Sequence, residues 1–327
     1  MAVRLQVFSL DADDYRPHPL HAGDRSWTET NCWLDMMIEV LHALDLDPVA
    51  ASAFTLSTDF EGEQWTLFKF PPEDLRALFG LEVAEMYVWR PAVDHVEEQL
   101  ALGRLCSVEV DAWYLPDTAG VTYHVDHVKT GIVPQMIDRE AKRLGYFHNA
   151  GYFELAGEDF DGLFYLAGNA HPLVLPPYME TIKLDRINRV DDEELLGRVT
   201  VLTKDHLARR AMTNPMERFR KRLEADLPWL AASGDAAFHP YAFATCRQLG
   251  ATAELAGSFV EWLDKRGADG LGGAAAHFHS VAESAKALQF ALARVARGRR
   301  VELEAPLDEM GRAWEAAMRT LVERYGE

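Results

Sequence analysis

From about residue 190 to the C-terminus the chain reads in helical periods, whereas residues 30–180 mix short helices with aromatic, alternating runs. A change of hydrophobic period from near two to 3.6 separates a part that builds a sheet from a part that cannot. Two domains are therefore expected, 1–185 and 186–327, meeting after the proline-rich LVLPPYM and at the charged VDDEELL. The fold class expected is α+β, helices and an antiparallel sheet followed by an all-α domain. The length of 327 residues, 48% hydrophobic, supports two such cores.

In the first part, Thr30-Asn31 offers cap residues, and Trp33, Met36, Met37, Val40, Leu41 and Leu44 follow at helical spacing. Cys32 falls in that helix's first turn. Further helices are predicted over 72–78, stopped by Gly80, and over 91–102, stopped by Gly103. Strands are predicted at 105–113, 125–133 and 144–155, with a short fourth at 164–166. The second part predicts helices over 191–211, 215–231, 240–265, 274–298 and 306–325. Asn214-Pro215 gives a clear start signal, and an alanine-rich stretch suits a central bundle helix.

Composition excludes several functions. A net charge of -19 disfavours nucleic acid as a partner, because phosphate binding needs a basic surface that releases counterions. No apolar run approaches the ~18 residues of a membrane span, and the N-terminus shows no charged-then-apolar leader, so a soluble, cytoplasmic protein is expected. Three cysteines, Cys32, Cys106 and Cys246, fit reduced thiols rather than a disulfide framework. One segment runs against the acidic background. Lys204 to Arg222 carries seven basic and two acidic residues. A solvated helix face is the plain reading, and an acidic partner docking on Arg209, Arg210, Arg218, Arg220, Lys221 and Arg222 is the sharper one.

A thiol attacks only as thiolate, which a helix N-terminus and a neighbouring imidazolium both stabilise. Cys32 has the first by position. For the second, a strand candidate opens with His124-Val125-Asp126-His127, and His148-Asn149 lies on the next. The order Cys, His, Asn is that of papain-type nucleophilic sites. His127 is preferred to His124 because the strand-like VKTGIV follows it, and Asn149 is the expected orienter. Oxyanion donors would be the Cys32 backbone N–H, Asn31 and Gln64. Trp65, Tyr114 and Tyr123 are candidates for a substrate pocket, with core packing the preferred reading of each. Cys106 and Cys246 read as core. A metal reading remains open at this stage, since His124, Asp126, His127 and His148 carry suitable atoms, but their spacing matches no zinc signature and no metal is expected. No phosphate loop, dinucleotide fingerprint or nucleophile-elbow serine is present.

The segments NCWLDMMIEVLHALDLDP, DFEGEQWTLFKFP, VEVDAWYLPDTAG, LGYFHNAGYFEL, HPYAFATCRQLGA and KALQFALARVARGR occur in an order that resembles the bacterial domain-of-unknown-function family 1839 over nearly the whole chain. The N-terminal part is also similar to the papain-like N-terminal domain of the butirosin-biosynthesis acyltransferase. The shared features are Asn31-Cys32, Asp111 to Pro116, the His127 strand and the Asn149 strand. This second resemblance implies a papain-like fold and a Cys32 acyl-enzyme. An acyl or aminoacyl group would pass from the phosphopantetheine thioester of an acidic carrier protein to an amine, a hydroxyl or water. It implies no tightly bound cofactor, a small-molecule acceptor and carrier docking on the helical domain. Two alternatives share the fold: a cysteine peptidase or amidase, and an inactive binding or scaffold protein.

Overall fold

A computed structural model describes residues 4–66, 68–166, 176–268 and 270–326. The chain is α+β and divides into two units. The first comprises the residues up to Gly23, Asn31–Asp47 and Pro71–Arg189; the second comprises Asp24–Thr30, Pro48–Phe70 and the chain from Val190 on. The division near 189 lies close to the expected one, but 24–30 and 48–70 cluster with the helices. Their aromatic residues explain this, since Trp27, Phe60 and Trp65 are all buried within the second unit.

The first unit runs β1 (Leu5–Gln6), α1 (Cys32–Ala43), α2 (Pro72–Phe79), β2 (Glu82–Glu85), α3 (Ala92–Ala101), β3 (Leu105–Asp111), β4 (Lys129–Asp138), β5 (Arg143–His148), β6 (Gly151–Ala156), α4 (Glu158–Leu163) and β7 (Met179–Lys183). The sheet order is β2-β7-β3-β4-β5-β6, every neighbour antiparallel, with β1 paired to the far half of β4. Local signals place the helices. Asn31 caps α1 by accepting from the Leu34 N–H at 3.0 Å. Gly80 ends α2 in the left-handed region (φ 69°), where an added Cβ would strike the Arg186 carbonyl.

Three details depart from expectation. The run over 144–155 is a hairpin, β5 and β6 turning at Asn149 with φ 43°, a conformation that asparagine tolerates better than most residues. Residues 164–166 form a turn after α4, closed by Tyr165 N–H to Gly162 O at 3.1 Å, in place of a strand. The strands β1, β2 and β7 add to those expected. The polar Glu82–Glu85 hides its strand character, and β7 opens at Met179 inside the proline-rich 173–179 stretch, of which 173–175 lie outside the described residues.

The second unit comprises α5 (Asp192–Ala208), α6 (Pro215–Ser233), α7 (Asp235–Ala242), α8 (Gln248–Lys265), α9 (Gly272–Ala296) and α10 (Glu304–Tyr325). A π-turn over Phe243–Arg247 joins α7 to α8, so the helix expected over 240–265 is a composite. The alanine-rich α9 packs between α8 and α10 and buries Ala274, Ala275, Phe278, Ala282, Ala285 and Leu288. Trp27 reaches into this bundle. Its Nε1–H donates to the Ala282 carbonyl at 3.0 Å, and Glu254 accepts from the backbone N–H groups of Ser26 and Trp27 at 2.9 and 2.8 Å. Among the described residues no helix is long and apolar enough to cross a membrane.

Candidate functional site

Cys32 is the first residue of α1 and is half-buried. Its backbone N–H is one of the orphan donors of a helix start, and the positive end of the helix dipole lies at its side chain. The remaining cysteines are sealed. Cys106 and Cys246 are fully buried, and burial pushes both thiols up to about 12, where no thiolate forms at neutral pH.

Helix α1 packs on one face of the sheet, against β4 and β5. A Cβ added at Gly131 of β4 would lie 3.5 Å from the Met36 side chain, and Cys32 stands one helical turn from Met36 on the same stripe. Trp33 reaches the same face, its Nε1–H donating to Glu180 of β7 at 2.6 Å, where Ser107 also donates at 3.1 Å. By strand alternation Lys129 and Gly131 share one face with their β3 partners Asp111 and Glu109, and His127, which precedes β4, is joined to that face through Asp111.

Two neighbours fix His127. Its Nδ1 lies 2.5 Å from Asp111 Oδ2, and the Trp113 ring stacks on the imidazole with centroids 4.4 Å apart and planes 9° from parallel. Asp111 is itself held, because its other oxygen accepts from the Trp113 N–H at 3.0 Å. The imidazole is 64% exposed and so open to solvent. A carboxylate on Nδ1 selects the tautomer with a basic Nε2.

Asn149, the expected orienter, makes no hydrogen bond to His127. It occupies the β5–β6 turn, and the imidazole's partner is Asp111 instead. Its neighbour His148 is buried with both ring nitrogens engaged, Nδ1 to Asp117 at 2.5 Å and Nε2 to Thr130 at 2.9 Å, while Tyr146 donates to the other Asp117 oxygen at 2.5 Å. Phe147 pairs with Val133 and so lies on the α1 face, which turns His148 to the opposite one. His148 is thus a polar element of the core. His124 lies 3.3 Å from Asp159, to which Tyr123 also donates at 2.9 Å.

The other candidates disperse. Asn31 uses its side-chain oxygen as the α1 cap. Gln64 is exposed in the second unit, and Trp65 is buried there against Phe60 and Phe219, with centroids 5.2 and 5.5 Å away. Tyr114 packs over Gly162 in the first unit. Among the described residues no three His, Cys, Asp or Glu side chains converge as a metal site. The basic segment is largely neutralised within its own unit: Arg209 pairs with Asp205, Arg218 with Asp59, Arg220 with Asp308 and Arg222 with Asp226, while Arg210 donates to the Leu207 carbonyl at 2.7 Å and Lys221 is exposed.

Behind Cys32, α1 turns two carboxylates into the protein. Asp35 and Glu39 are buried, and His21 bridges them, Nδ1 2.5 Å from Glu39 and Nε2 3.4 Å from Asp35. Burial opposes the imidazolium, but the hydrogen bonds and charges of both acids outweigh it and raise His21 to about 9. Tyr15 donates to Glu39 at 2.5 Å, as does the His18 N–H at 3.0 Å. For Glu39 too, burial is outweighed, and its carboxyl stays below the usual range.

A family model for the DUF1839 N-terminal domain matches residues 16–184, and one for the DUF1839 C-terminal domain matches residues 192–323. The chain belongs to the DUF1839 family. The DUF1839 N-terminal match holds Cys32, Asp111 and His127, and the C-terminal match begins at the first residue of α5. No curated protein matches this DUF1839 chain. Asp111 and Trp113, the residues that hold His127, were not among the expected candidates, although both stand in the DAWYLP segment. A carboxylate closing a strand, two residues before a tryptophan, was the available signal.

Proposed function

We propose that this DUF1839 chain is a cysteine-dependent acyltransferase with Cys32 as nucleophile, His127 as general base and Asp111 as the residue that orients His127. The observation that carries the reading is the Asp111–His127–Trp113 arrangement, whose carboxylate belongs to the sheet face that α1 meets at Gly131, with a half-buried thiol at the start of that helix.

In the first half-reaction His127 Nε2 takes the Cys32 thiol proton, and the thiolate adds to a thioester carbonyl. The Cys32 N–H donates to the oxyanion. Collapse breaks the carbon–sulfur bond to the donor thiol, which leaves with the proton from His127. In the second, His127 Nε2 takes a proton from an amine, a hydroxyl or water as that group attacks the acyl-enzyme, and returns it to Cys32. The resemblance of the N-terminal motifs to an acyltransferase that takes aminoacyl groups from a carrier protein supports a phosphopantetheine thioester as donor. An acidic carrier is the proposed partner. Since Arg209, Arg218, Arg220 and Arg222 have carboxylate partners already, docking would draw on Lys221 and on exchange of those pairs.

Incubation with aminoacylated carrier protein, followed by intact-mass measurement, tests this. The expected result is an acyl adduct on the native chain and none on Cys32→Ala. An unmodified native chain across a panel of acyl donors would overturn the transferase reading.

A further inference from the structure

The α5–α6 loop and α10 enclose a half-open cavity of about 280 Å³ within the second unit, near the small end of ligand pockets, ~300–1,000 Å³. Its walls include Arg210, Arg319, Trp314, Met318, Leu56 and Glu315. Arg209, Arg220 and Arg312 are each held by a carboxylate, Asp205, Asp308 and Glu309 respectively. Among the described residues neither Arg210 nor Arg319 has a carboxylate within ion-pair distance. Arg210 uses one nitrogen on the Leu207 carbonyl, leaving the rest of its fork for another acceptor.

In a chain of net charge -19, two guanidinium groups that share a cavity wall and lack carboxylate partners mark a place where an external anion is favoured. Glu315 offsets only one of the two charges. A single carboxylate satisfies one guanidinium fork, whereas a phosphate dianion offers three oxygens and enough charge for two. Trp314, Met318 and Leu56 give the cavity an apolar side beside its basic one. We propose that this cavity binds a small phosphomonoester, the phosphate held by Arg210 and Arg319 and an apolar body packed against Trp314 and Met318. The site is independent of Cys32 and of the acyl-transfer reading.

Titration calorimetry of the full chain with phenyl phosphate tests the proposal, with inorganic phosphate and phenylacetate as comparison ligands. One saturable site is expected, with phenyl phosphate preferred over both comparison ligands. Arg210→Met and Arg319→Met should each weaken phenyl phosphate by roughly tenfold or more, while Arg209→Met, Arg312→Met and Cys32→Ala leave it unchanged. Thermal melting checks that each variant is folded. If losing the bond to Leu207 unfolds Arg210→Met, the exposed Arg319 carries the test alone. No saturable binding, binding indifferent to Arg319, or phenylacetate binding as tightly as phenyl phosphate would overturn the proposal.

Discussion

At the scale of single residues, some groups are held by their neighbours and others are left open. His127 is clamped by Asp111 and Trp113 yet stays exposed, whereas His148 is fully engaged and buried. Replacing His127 with alanine is therefore expected to lower acyl transfer by about 10²–10⁴-fold, measured as the single-turnover rate. Asp111→Asn should keep the geometry but favour the wrong tautomer, with a loss on the order of 10²-fold or more. Asn149→Ala should leave that rate nearly intact and cost stability at the turn instead. His21 gives a prediction about pH. Its folded pKa, about 9, lies above the 6.5 of a free histidine, so its contribution to stability is fully present below pH 6.5 and is lost as pH rises through 9. Melting temperature should fall over that interval in the native chain and fall less in His21→Gln.

At the scale of elements, α1 positions the proposed nucleophile Cys32. Its cap is local, and Asn31→Ala is expected to cost about 1 kcal/mol by chemical denaturation. Its seat on the sheet is not local. Met36 is buried over Gly131, and Met36→Ala should cost roughly 2–5 kcal/mol. Helix starts and stops were legible in the sequence because proline, asparagine and glycine act on their immediate neighbours, as at Asn31, Pro72, Gly80 and Asn214. The Asp111–His127 contact was not legible. Asp111 and His127 meet because β3 and β4 pair in a register that sets Asp111 opposite Lys129, and register belongs to the sheet rather than to either strand. Asn149, the orienter expected from the order of residues, stands in the β5–β6 turn, and an asparagine needed for a turn looks, in a string of letters, like one needed for a histidine.

At the scale of the whole molecule, the sequence showed two periods and hence two cores, but not that segments 24–30 and 48–70 belong with the helices. Membership of that kind depends on single buried aromatic residues. Trp27→Ala should remove about 3–5 kcal/mol from the helical unit, and residues 190–327 expressed alone, lacking Trp27, Phe60 and Trp65, are expected to melt without cooperativity. Calorimetry checks both.

In the proposed reaction Cys32 is a thiol activated by His127. The rate of alkylation of Cys32 by iodoacetamide at pH 6, followed by mass spectrometry on the folded chain, tests it most directly because Cys106 and Cys246 are sealed. Rapid modification of the native chain, slowed in His127→Ala and to a lesser degree in Asp111→Asn, is the expected result. A Cys32 that resists the reagent until the chain unfolds, or that reacts equally fast without His127, would contradict it.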